Sequence, residues 1–208
     1  MNELRTAIHR RSHSLYRILR LALRDLRAGR PFPGDHYRIK RHAALVRLFH
    51  TANRFLREAG VDYWLHFGTL LGYYREGAIM MHDTDIDLGL PEREAARVWR
   101  ERGRLPAGFK LRDSSFNHHG PKMYIAQGGW EVDLYFFAER DGSLYPFEKS
   151  RNPGDMKSFE ADLVFPLKEV TFLGEATFVP RRPPELLEHI YGNISADAVK
   201  NPLTGYYE

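Results

Sequence analysis

Cysteine is absent from this 208-residue chain. That absence removes disulfides, thiolate metal sites and cysteine nucleophiles together, and it suits a reducing compartment. Long apolar runs are missing as well. Val132–Ala138 is broken by Asp133, and nothing approaches the roughly 18 residues that cross a bilayer. The N-terminus shows no apolar stretch ending in a small-residue cleavage site, so no signal peptide is expected. Internal repeats and low-complexity tracts are also lacking. With 43% hydrophobic residues, the composition is that of an ordinary globular protein, with one main domain as the expectation and the cytoplasm as its expected location.

Acidic residues are scarce in one place only. Residues 1–30 hold eight arginines against Glu3 and Asp25, a net +6, whereas the rest of the chain holds 23 basic and 25 acidic side chains, a net −2. A basic segment over residues 1–36 is therefore expected ahead of a near-neutral domain over residues 37–208. Within Ser14–Arg27, helical spacing puts Leu15, Ile18, Leu19, Ala22 and Leu26 on one face and Arg17, Arg20, Arg24 and Arg27 on the other. Such a helix can pack on the domain with its arginines solvated. It can also lie peripherally on an anionic membrane surface, here the inner face. Nucleic acid is not an expected partner, because no aromatic interleaving or base-reading motif accompanies the arginines.

Beyond Pro31, Pro33 and Gly34 the pattern predicts a helix over Tyr37–Glu58, with Ala44, Leu45, Leu48, Phe49, Ala52, Phe55 and Leu56 as its buried stripe. Strands are expected at Val61–Phe67, Asp85–Leu90, Lys122–Ala126 and Glu131–Phe137, and a hairpin strand at Phe172–Val179. Leu70–Tyr74 reads as a short helix, Glu92–Arg102 as a charged surface helix. A final helix over Glu185–Tyr191 follows Pro183 and Pro184 and stops at Gly192. Strands mixed irregularly with helices indicate an α+β fold, a mixed β-sheet flanked by helices, rather than regular βαβ winding.

The chemistry concentrates in acids. Asp83, Asp85 and Asp87 alternate strictly, so in a strand their carboxylates share one face. Two such charges about 4 Å apart repel by roughly 4 kcal/mol at an effective dielectric near 20. A divalent cation, a proton or intervening water relieves that repulsion, and oxygen-only ligands favour Mg²⁺ or Mn²⁺. Asp133 sits among Val132, Leu134, Tyr135, Phe136 and Phe137. A lone carboxylate in such a strand calls for a partner or a metal. Asp85, Asp87 and Asp133 are thus the candidate ligands for one or two cations held against a phosphate chain. Gly68-Thr69 follows a strand, where glycine allows close backbone approach and a helix N-terminus can hold phosphate.

The run Gly68-Thr69-Leu70-Leu71-Gly72, Arg75, then His82-Asp83-Thr84-Asp85-Ile86-Asp87 resembles the LicD/fukutin family of nucleotidyltransferase-fold enzymes. The later residues Phe165-Pro166-Leu167, Phe172, Gly174, Pro180 and Leu187 through Tyr191-Gly192 resemble that family's ending. The resemblance spans roughly residues 45–202. It implies a nucleotidyltransferase-like fold and transfer of a phospho-alcohol, such as phosphocholine or ribitol phosphate, from a CDP-linked donor to a hydroxyl of a cell-surface or lipid-linked glycan. It further implies Asp85 and Asp87 as paired metal ligands and Asp133 as third acid, base or shared ligand. Gly68 and Thr69 would contact donor phosphates, and Arg75 would neutralise developing charge. Asp83 would support a ligand from outside the coordination sphere. His82 stands where the family often has tryptophan and receives no role.

Other readings compete. Lys122 could touch phosphate or acceptor, but a lysine at such a position is more often solvated, and the same holds for Lys157. His118-His119 near Asp113 is a weak zinc reading, because adjacent residues face opposite ways. His66 reads as a packed core or pocket-wall histidine. A nucleotidyltransferase moving NMP from an NTP to a protein, RNA or small molecule would show the same acids. A non-enzymatic calcium loop over residues 83–94 would need helices on both sides, whereas the transferase reading needs a strand at Asp85–Leu90.

Overall fold

A computed structural model describes residues 34–81, 83–147, 157–195, 197–199, 201, 206 and 208. The chain divides into two compact units, Met1–Arg41 and His42–Glu208. Of the first, only the opening turns of a helix are described, and the amphipathic segment Ser14–Arg27 lies outside the described residues. The described elements run α1 (Gly34–Glu58), β1 (Trp64–Leu65), α2 (Phe67–Glu76), β2 (Ile86–Pro91), α3 (Ala95–Glu101), β3 (Lys110–Asp113), β4 (Lys122–Gln127), β5 (Trp130–Arg140), β6 (Ser143–Pro146), β7 (Phe159–Glu160), β8 (Lys168–Phe172), β9 (Glu175–Val179) and α4 (Pro183–Tyr191).

The main sheet has the order β1-β2-β5-β4-β3, and β6 and β7 extend it from β5. Only β2 and β5 run parallel among the described pairs; the others are antiparallel. This is the mixed α+β sheet that the element pattern predicts. Alternation divides the first residues of the two central strands. Ile86, Leu88 and Leu90 of β2 and Val132, Leu134 and Phe136 of β5 are buried. The intervening Asp87 and Asp133 lie side by side in register on the other face.

The stripe of α1 from Ala44 to Leu56 is buried throughout. The β8–β9 hairpin docks on this helix. Phe49 meets Phe172 edge-on at 5.2 Å, His50 Nε2 donates to the Leu173 carbonyl at 3.0 Å, and Asn53 Nδ2 donates to the Ala176 carbonyl at 3.0 Å. Its turn places Leu173 at φ 52° and Gly174 at φ 82°, the positive pair that a two-residue hairpin loop requires.

Several boundaries differ from expectation. The strand predicted over Val61–Phe67 shrinks to Trp64–Leu65, because Phe67 turns into the left-handed region at φ 39° and starts α2. The predicted helix Glu92–Arg102 begins and ends in 3₁₀ turns around α3. Strands β3, β6, β7 and β8 go beyond the expectation, and of the hairpin strand expected at Phe172–Val179 only Glu175–Val179 forms β9, Phe172 being the end of β8. Gly72 lies within α2, where the chain leaving the helix folds back against it. A Cβ there would meet the Ala78 carbonyl at 2.5 Å, so only glycine lets the chain double back toward Asp83. Among the described residues, no helix is long and apolar enough to cross a membrane.

Residues 83–94 are not framed by two helices. β2 occupies their centre, and a 3₁₀ turn over Glu92–Glu94 occupies their end. A calcium loop of the helix–loop–helix kind is thereby excluded.

Candidate metal and phosphate site

Parallel pairing of β2 and β5 sets Asp87 beside Asp133, and Asp85 immediately precedes β2. One carboxylate oxygen from each of Asp85, Asp87 and Asp133 lies within 4.8 Å of the other two. This is the only such cluster of potential metal ligands among the described residues. At that spacing each charged pair repels by about 3 kcal/mol at an effective dielectric near 20. The strain registers on Asp87. Burial, then the charges of Asp85 and Asp133, raise its carboxyl well above the ordinary carboxylate range; Lys122 opposes the rise and Asp83 adds to it. Three hard oxygen donors at one point suit Mg²⁺ or Mn²⁺, so the residues present fit a divalent cation.

The start of α2 lies against this cluster. A Cβ on Gly68 would stand 3.4 Å from Asp83 Oδ1 and 3.6 Å from Asp87 Oδ2. The β1–β2 ladder ends at Leu65, and α2 completes it. The His66 N–H donates to the Asp87 carbonyl at 3.0 Å, and the Asp87 N–H donates to Thr69 Oγ1 at 2.9 Å. Thr69 is buried and works as a strut for Asp87. Thr69→Val should leave the Asp87 amide without an acceptor and cost about 1–3 kcal/mol in denaturant unfolding. Thr69→Ser should cost well under half of that, and equal losses for the two would remove the strut from the account.

Lys122 departs from the surface expectation. It is 7% exposed, with Nζ 3.5 Å from Asp133 Oδ1 and 3.1 Å above the Tyr135 ring centroid. Tyr135 faces the site and donates a long hydrogen bond from its hydroxyl to Asp133 Oδ2 at 3.5 Å. The signal that could have found both residues is parity. Tyr135 is two residues from Asp133, and Lys122 is the cross-strand partner of Tyr135, so all three share a face.

His66 sits fully buried behind these residues, its Nδ1 accepting from Trp64 Nε1 at 3.3 Å. Burial, helped by the Lys122 charge, lowers it to about 3. It is therefore neutral at working pH, and of the two expectations, packed core or pocket wall, its full burial fits the packed core. Its contribution to stability is present above pH 6.5 and is lost as pH falls toward 3. Arg75 points elsewhere. Nε donates to the Ile194 carbonyl at 2.9 Å and Nη2 to that of Ser195 at 2.5 Å. Lys157 stacks on Tyr206 at 4.4 Å. His82 lies outside the described residues.

Comparison with known proteins follows the same segment. The family model described as LicD/FKTN/FKRP, nucleotidyltransferase domain, matches residues 60–182. The human ribitol 5-phosphate transferase FKRP is 30% identical over 153 residues, covering 71% of this chain and 30% of that protein. The mouse ribitol-5-phosphate transferase FKTN is 42% identical over 110 residues, covering 51% of this chain and 23% of that one. The chain spans less than half the length of the curated relatives it matches. A crystal structure of ANT(2″)-Ia in complex with adenylyl-2″-tobramycin overlays 65% of this chain and 68% of its own, with a TM-score of 0.42 and 16% identity.

Proposed function

Because this chain belongs to the LicD/FKTN/FKRP nucleotidyltransferase-domain family, we propose that it is a metal-dependent transferase. It moves a phospho-alcohol, ribitol phosphate or phosphocholine or a similar group, from a CDP-linked donor to a hydroxyl of a cell-surface or lipid-linked glycan. The observation that supports this most directly is the convergence of Asp85, Asp87 and Asp133 within 4.8 Å, beside a glycine-led helix start. The two relatives named for ribitol phosphate transfer point to the same chemistry.

In this reading Asp85, Asp87 and Asp133 hold Mg²⁺ or Mn²⁺, with Asp83 supporting them. The cation, when bound, offsets charge on the donor diphosphate and on the departing CMP. Gly68 and Thr69 present backbone amides to the phosphates. Asp133 accepts the proton of the attacking hydroxyl. The acceptor oxygen forms a bond to the phosphorus bearing the alcohol, the bond from that phosphorus to CMP breaks, and CMP leaves. Arg75 is left out of this reading, because its Nε and Nη2 are held by the Ile194 and Ser195 carbonyls. Positioning and fixed charge carry most of the acceleration.

Thermal shift with CDP-choline, CDP-ribitol, CDP-glycerol and CTP, each with and without Mg²⁺, tests this reading. One CDP-alcohol should stabilise the protein in a Mg²⁺-dependent way, and acceptor glycan should then release CMP. Stabilisation by CTP alone, followed by release of pyrophosphate, would replace this reading with nucleotide transfer.

A further inference from the structure

Lysine seldom occupies a buried strand position without a partner. Lys122 occupies such a position on β4 with partners, its ammonium 3.1 Å over the Tyr135 ring and 3.5 Å from Asp133 Oδ1. Burying that charge is costly, so the position calls for something that a cation supplies.

A charge count supplies it. Ionised, Asp85, Asp87 and Asp133 carry three negative charges. One divalent cation leaves a net negative charge, which repels a phosphate chain. Lys122 cancels that remainder. With it, the loaded cluster carries one negative charge fewer and admits a polyanion more readily, and the metal-free cluster attracts a bare cation less strongly. Asp83, near Gly68, adds the same negative charge to every state and leaves the comparison intact. We infer that Lys122 couples the two ligands of this site. It weakens the hold on a free divalent ion and strengthens the hold on a diphosphate that arrives with one, so the site selects the cation–diphosphate complex over the bare ion. The inference rests on the reading that cation and phosphate share this site.

Calorimetric titration of the full chain tests it, with Mg²⁺ alone and then with inorganic pyrophosphate in saturating Mg²⁺. Lys122→Met keeps an unbranched stem on Tyr135 and removes the charge. A unit charge at this range should shift each affinity by about tenfold or more even when screened. Mg²⁺ should bind more tightly to the variant, and pyrophosphate more weakly. Lys122→Arg keeps the charge and should leave both affinities within about threefold. A lysine with a purely structural role would weaken both ligands together. Loss of both in Lys122→Met, or an unchanged Mg²⁺ affinity, overturns the inference. Should the methionine variant not fold, the arginine variant decides: retention of both affinities supports the coupling, and loss of both overturns it. A wild-type protein that binds no Mg²⁺ sinks the shared site as well. A wild-type protein that binds both probes, with variant affinities moving in the same direction, sinks only the coupling.

Discussion

Asp87→Asn should lower transfer by about three orders of magnitude, the scale of losing one preorganised electrostatic group at a reacting phosphate, while the metal-free protein becomes more stable. The two effects share one cause. Asp87 is crowded by Asp85 and Asp133 in a half-buried site, and its carboxyl is raised well above the ordinary range. Asparagine keeps the shape and removes the repulsion. In the wild type, the proton on Asp87 stabilises the metal-free fold fully below the unfolded carboxylate value. That contribution fades as pH rises through the raised folded value. Mg²⁺ takes over from the proton, so its affinity should rise across the same window. At a hundred times its dissociation constant a cation adds about 2.7 kcal/mol, or roughly 5–10 °C for a chain of this size. Asp87→Asn should lose most of that Mg²⁺ shift and show a higher Tm without metal. It should also lose the acid-favoured part of its pH profile. His66 contributes the opposite slope below pH 6.5, so the variant's profile should keep that slope. Activity within about tenfold of wild type, or a lower Tm without metal, would remove Asp87 from the centre of the site.

Much of this arrangement is readable from period and composition alone. The α1 stripe follows a 3.6-residue period, and every position assigned to it is buried. The two acid strands follow a two-residue period, so Asp87 and Asp133 declare themselves as polar positions between buried neighbours. Where the period is short or mixed the reading stops. β3 is KLRD and β6 is SLYP, four residues each, held as strands by pairing with β4 and β5 rather than by their own pattern. β1 keeps only two residues because Phe67 adopts a left-handed backbone that no local preference favours. Its ring is held at 4.9 Å from Tyr135 and 4.0 Å from His66. Lys122 is the clearest case. Its neighbours in sequence give no hint of burial; its environment comes from Tyr135 and Asp133 on another strand. Cross-strand register decides such contacts, and register is a tertiary property.

The same register produces the second large effect. Gly89 pairs with Trp64 across β1–β2 and with Tyr135 across β2–β5. The indole lies across it: a Cβ on Gly89 would come within 2.3 Å of Trp64 Cε2 and 2.5 Å of Nε1. Replacing a strand glycine by alanine ordinarily stabilises by about 0.4–1 kcal/mol through the unfolded chain. Here the sign should reverse. Trp64 is fully buried, hemmed by Phe137 at 5.6 Å and Phe165 at 5.8 Å, and tied through Nε1 to His66, so the ring has no free direction in which to yield. Gly89→Ala should cost about 3 kcal/mol, at the upper end of overpacking, and lower Tm by roughly 6–12 °C. Trp64→Ala alone should cost about 3–5 kcal/mol. In the double variant the new methyl enters space that the indole has left, so the combined loss should fall short of the sum by more than about 1 kcal/mol. The consequence reaches the site, because Gly89 is two residues from Asp87 on one strand and shares its face. A displaced β2 moves Asp87 away from Asp133, so Gly89→Ala should also weaken Mg²⁺ stabilisation while leaving every ligand in place. Strict additivity in the cycle, or a Gly89→Ala protein as stable as wild type, would show that the indole can be moved and that it does not pin the strand carrying Asp87.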